Sequence, residues 1–253
     1  MKKKILALCV VAIIAVTAIA GASLAYLTDR DSAENVFTFG NVEIQLNETF
    51  EDNQLIPGKD LTKEASVTNT GINDAWVWVT VAIPVELDTP DDASKNILHM
   101  NVPGRNWLDY RDNEKYWEEG QNGATPEDQC WKVDAYIAKD VEINGEKYNV
   151  YTHLYNGVLA PEATTTTCLS NVYLDPHVDI DPAGNLFWVE KGVATAIDWN
   201  IKDDGAPNVY VSAYAIQEEG FATVEEAYAA YADQWGDNGF EYGATTYGAT
   251  EQA

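Results

Sequence analysis

The chain has 253 residues, 46% hydrophobic and 22% charged, with 8 Trp, 14 Tyr and 6 Phe. That is enough apolar surface for a real core and too many rings for a solvated coil. Fifteen Lys and Arg against 41 Asp and Glu give a net charge of −26. So acidic a surface excludes a nucleic-acid binder, which needs a basic face, and argues against docking on anionic lipid.

The chain opens with Met1-Lys2-Lys3-Lys4 and a nearly uninterrupted apolar run from Ile5 to Gly21. Ser23-Leu24-Ala25 then places small residues at the two positions a signal peptidase reads. Residues 1–25 are therefore expected to be a cleaved signal peptide, with the cut between Ala25 and Tyr26. No second spanning segment and no Leu-Pro-x-Thr-Gly motif follows, so the expected location is extracellular: cell surface or matrix. Removing residues 1–25 strips three Lys and no acid, which makes the mature chain still more acidic.

Beyond the cut the dominant period is 2. Val42, Ile44 and Leu46 alternate with Glu43, Gln45 and Asn47, a strand with one wet face. Residues 65–68 lead into the turn signal Asn69-Thr70-Gly71. Residues 75–87 are aliphatic and aromatic on both faces, as in a buried strand, and Pro84 predicts a bulge or an edge there. Further strands are expected at 131–137, 147–155, 169–174, 186–190, 193–199 and 209–217, separated by Gly, Asn, Asp and Pro. Short strands with frequent turns predict an all-β antiparallel sandwich or jelly roll.

One C-terminal helix is expected. Thr223 and Glu226 form a capping box, and Val224, Ala227, Tyr228, Tyr231 and Trp235 make one apolar stripe. The domain organisation reads as a signal peptide (1–25), an N-terminal strand segment (26–47) and a β domain (48–235). That domain carries a polar insertion around 88–128 with a short helix, and residues 236–253 form a low-complexity flexible tail.

Catalytic motifs are absent from the sequence. His99, His153 and His177 have no second His within four residues, and there is no His-Glu-x-x-His, Gly-x-Ser-x-Gly, phosphate-binding loop or Cys-x-x-Cys. The chain is therefore expected to be no enzyme, with no catalytic residue, metal or cofactor. The one metal-like run is Asp175-Pro-His177-Val-Asp179-Ile-Asp181, whose alternate residues would share one side of an extended chain and offer oxygens to Ca²⁺. A solvated acidic loop in so acidic a chain is the preferred reading. Trp76 and Trp78 lie on one strand face and are expected in the core rather than on a sugar-stacking platform. Outside the cell the pair Cys130 and Cys168 can form a disulfide; two buried thiols are the other reading, and the sequence leaves both open.

Several stretches, in order, resemble the TasA/camelysin family of biofilm-matrix proteins. They are Ala22–Asp29 with Ala33–Ile44, Leu55-Ile56-Pro57-Gly58-Lys59-Asp60 with Val67–Gly71, Tyr155–Glu162 with Thr164 and Val172, and Ala213–Gln217 with Gly220, Phe221 and Ala227. Two departures stand out: Glu162 replaces the glycine usual after Pro161, and Ala163 breaks the usual spacing. The resemblance implies a jelly roll and release by a SipW-type signal peptidase. It further implies a homopolymeric fibre assembled by strand donation from the freed segment, here Val36, Phe37, Phe39, Val42, Ile44 and Leu46. Other matrix proteins or polysaccharide are the remaining expected partners. A camelysin-like secreted metalloprotease and a carbohydrate-binding surface module are the alternatives.

Overall fold

The structure is a computed structural model that describes residues 28–30, 42–50, 55–102, 129–205 and 207–235. The alternating and all-apolar runs become antiparallel strands: β1 (Thr28–Arg30), β2 (Ile44–Phe50), β3 (Leu61–Asn69), β4 (Ala75–Pro84), β5 (Leu98–Asn101), β6 (Trp131–Ile143), β7 (Glu146–Tyr155), β8 (Leu169–Leu174), β9 (Val178–Ile180), β10 (Asn185–Glu190), β11 (Val193–Asn200) and β12 (Tyr210–Gln217). One α-helix, α1 (Val224–Trp235), follows them. The strands form a five-stranded sheet β1-β12-β4-β7-β6, a four-stranded sheet β2-β3-β8-β5 and a three-stranded sheet β11-β10-β9.

β4 shows why the layers stack as they do. All ten of its residues are buried, because both faces are covered. Val77, Val79, Val81 and Ile83 join Val67, Val172 and Met100 in the core between the two larger sheets. Trp76 and Trp78 face the other way and are roofed by Val224, Ala227, Tyr228 and Tyr231 of α1. Trp78 packs edge-on against Tyr231, ring centroids 5.0 Å apart. Each such buried apolar side chain contributes about 1.5–3 kcal/mol, so the β4 sequence, apolar except for Thr80, marks it as the central layer.

The expected sandwich is therefore present, and α1 sets Val224, Ala227, Tyr228 and Tyr231 of its apolar stripe against the sheet. The Glu226 amide donates to Thr223 Oγ1 at 3.3 Å, while the Glu226 carboxylate accepts from the Ala222 amide at 2.9 Å, one residue earlier than a standard capping box. Pro84 does not bulge; it closes β4 where pairing with β12 has already ended at Ala82, so that it pairs only with Tyr148 of β7, and it starts the 3₁₀ turn Val85–Leu87. Residues 88–128 are not wholly an insertion either. They include a 3₁₀ turn at Ala93–Lys95 and then β5, which pairs with β8 as an edge of the core sheet. β5 belongs there because Leu98 and Met100 are apolar on alternate positions and buried. The signal segment, residues 31–41, residues 103–128 and the tail 236–253 lie outside the described residues.

Candidate functional sites

The N-terminal segment enters the fold at two places. Residues 28–30 form β1 and pair with Ile216, Ala215 and Tyr214 of β12. β12 is eight residues long, so β1 covers its outer edge over three of them. Next, β2 pairs with β3 from Ile44–Asn69 through Phe50–Lys63. Val42 and Ile44 are each 3% exposed in the chain's own core, and the half-buried Leu46 packs against it. Of the six candidate donor residues, these three serve the home sandwich; Val36, Phe37 and Phe39 lie outside the described residues, as do Ala25 and Tyr26.

Two corners brace this region. In the Leu55–Asp60 turn, the Gly58 amide donates to the Leu174 carbonyl at 2.8 Å and Lys59 closes onto Ile56 at 3.0 Å. Gly58 has φ 71°, the left-handed region that glycine tolerates. The second corner is organised by Asn69, which is fully buried. Its side-chain amide donates to the carbonyls of Asn73 and Leu159, both at 2.8 Å, and its Oδ1 accepts from the Gly71 amide at 3.0 Å. Its backbone exchanges hydrogen bonds with Glu162 and Ala163. Glu162 there has φ 64°. The departure from glycine seen in the sequence thus falls on a residue whose backbone favours glycine.

The acidic run does not form one ligand face. Pro176 and His177 turn the chain after β8, which breaks the alternation an extended segment needs. Asp175 accepts from His99 and His177, while Asp181 accepts from the Asn185 amide and side chain, both at 2.9 Å. Those bonds from Asn185 hold the Asp181 carboxyl below the usual carboxylate range. Asp179 is exposed and accepts from the Ile180 amide. Among the described residues, no three His, Cys, Asp or Glu side chains converge to hold a metal ion.

His153 is completely buried and its Nδ1 accepts from the Asp134 amide at 3.0 Å. Trp76, Trp78 and Trp131 are buried and offer no stacking face to a sugar. Cys130 and Cys168 are both buried as free thiols, so the disulfide left open by the sequence is not formed here. Burial pushes the Cys168 thiol well above its ordinary range, which keeps it protonated and unreactive.

The partnership of His99 with Asp175 was invisible in the sequence. The two are 76 positions apart and meet only because His99 of β5 lies opposite Tyr173 of β8.

Residues 1–99 match the family model described as camelysin metallo-endopeptidase. No curated protein matches the chain. The match bears out the resemblance over that stretch. It also corrects one expectation: a chain read as no enzyme matches a family named for a peptidase activity. The described donors do not fit the metal that such a name implies. His99, the one histidine in the matched stretch, is 2% exposed with its Nε2 held by Asp175, and among the described residues no group of three His, Cys, Asp or Glu side chains is placed to hold a metal ion.

Proposed function

From its kinship with the TasA/camelysin family over residues 1–99, we propose that this chain is a secreted extracellular-matrix protein that polymerises through its N-terminal segment. One observation carries the reading. Among the described residues, the five-stranded sheet ends in β1, a three-residue strand drawn from that segment, and Tyr210–Ala213 of β12 lie beyond its pairing. An open strand edge carries unpaired N–H and C=O groups at regular intervals and accepts an added strand. Release between Ala25 and Tyr26 by a SipW-type peptidase would free residues 26–41, including Val36, Phe37 and Phe39, to pair with the next copy. Val42, Ile44 and Leu46 would stay at home, in β2 and the residues just before it, and set where the donated portion ends.

The test compares a chain beginning at Tyr26 with one beginning at Val42, by light scattering and circular dichroism. The longer chain should assemble; the shorter should keep its β spectrum and stay monomeric. Equal polymerisation of the two would refute the reading. The family description supports a second reading, a secreted metallo-endopeptidase. Chelator-sensitive cleavage of casein by the purified protein would establish it.

A further inference from the structure

We propose that His99, Asp175 and His177 form an acid-sensitive clasp that holds the three-stranded sheet over an apolar cavity. The cluster is a continuous bridge between sheets. His99 Nε2 meets Asp175 Oδ2 at 2.9 Å, and the other carboxylate oxygen accepts from the His177 backbone amide and meets its Nδ1, both at 2.8 Å. The His99 ring stacks on Tyr173 of β8, centroids 4.8 Å apart, and the His177 ring stacks on Trp188 of β10 at 4.9 Å. The Val189 amide of β10 donates to the His177 carbonyl at 2.8 Å. One carboxylate thus ties β5 and β8 of the four-stranded sheet to β9 and β10 of the three-stranded one.

Beside the clasp lies a cavity of about 430 Å³. Its wall on the core side includes Leu87 and Leu174, the residue before Asp175. The facing wall, with Ile180, Leu186 and Trp199, belongs to β9, β10 and β11. His177 is stacked on Trp188 of that facing sheet, so holding His177 against Asp175 holds the facing wall against the core wall.

His99 gives the clasp its pH sign. Its ring is 2% exposed, so the charged form lacks water. The charged and titratable groups around it are Asp175, from the β8–β9 turn; Asp88, after the first 3₁₀ turn; and Tyr173, from β8. The Asp88 carboxylate accepts in turn from Asn149 and Tyr151 of β7. His177 faces Asp175 and the uncharged Trp188. Burial pulls the His99 imidazole below its ordinary value, against the opposing pull of Asp175, the Asn96 backbone and Asp88. A group whose folded value is depressed binds fewer protons in the closed state than in the open one. Closure is then fully favoured above the free-imidazole value, about 6.5, and loses ground as pH falls below it. Opening hydrates His99, admits the proton and uncovers the cavity.

Amide hydrogen exchange on the purified chain tests this, with rates corrected for the intrinsic effect of pH. Amides of residues 178–180 and 186–190 should exchange at least fivefold faster at pH 5.0 than at pH 7.5, while β4 amides stay protected. His99→Gln, which cannot take the proton, should lose that pH dependence. His177→Gln changes a half-exposed ring and should fold; it should raise exchange in the same amides at least threefold at pH 7.5. A pH-independent wild type, a His99→Gln profile like the wild type's, or an unchanged His177→Gln would each overturn the clasp. The readout does not depend on assembly.

Discussion

The two edges of the five-stranded sheet solve one problem in opposite ways. β6, at one end, is 13 residues long and irregular. Its pairing with β7 shifts register twice, at Lys132/Tyr136 and Ala138/Val141, and Asp134 and Asp140 adopt φ 52° and 57° at those places. Bulges and charge blunt an edge against added strands. β6 also carries Lys139, paired with Asp91 at 2.6 Å, and is tied to α1 by Lys132–Glu225 and by the stacked Tyr136 and Tyr228 rings. The opposite edge has regular pairing between β12 and β4 across eight residues, and β1 covers only part of its outer side. Defence is built into one edge; the other is left to the N-terminal segment. Among the described residues, the part of this edge without an outer partner strand lies on β12, beside β1 of the N-terminal segment.

The largest effect expected from breaking this contrast comes at the boundary between home strand and donor. Ile44→Asp puts a carboxylate into the inter-sheet core. It should destabilise the monomer by about 4 kcal/mol or more, a large share of a typical domain's stability, as read by denaturant melts. Removing residues 26–41 should leave the melt within about 1 kcal/mol of the parent, since residues 28–30 add only a short edge ladder. That pair of results would place the division between core and donor at Val42. A smaller effect serves as a control. Glu162→Gly relieves a left-handed backbone and should stabilise the chain by about 1 kcal/mol, visible as a melting shift of a few degrees, without altering the assembly rate. Smallest of all, Lys139→Glu on the blunted edge should change that rate, followed by light scattering, by no more than about twofold, because exposed pairs such as Lys139–Asp91 contribute little.

Much of this architecture could be read from residues. The 169–174 strand appears with the boundaries expected, and the apolar stripe of α1 predicted its buried face, because both patterns are long enough to show a period. Two strands, β5 and β9, escaped, and β1 was legible only as part of the 26–47 strand segment. β1 and β9 have three residues each, too few for any period. β5 is four residues in polar surroundings, and only pairing with β8 makes its His99 a buried residue. The acidic run offers no shared ligand face because such alternation presumes an extended chain, and Pro176 and His177 turn instead. The clasp that replaced it depends on a contact between distant positions, which local patterning does not encode.

The most direct test of edge-directed assembly is amide exchange on monomer and polymer in parallel. The account predicts that residues 210–213 of β12 gain strong protection on assembly, while residues 132–143 of β6 exchange alike in both states. Protection gained along β6 with β12 unchanged would contradict it.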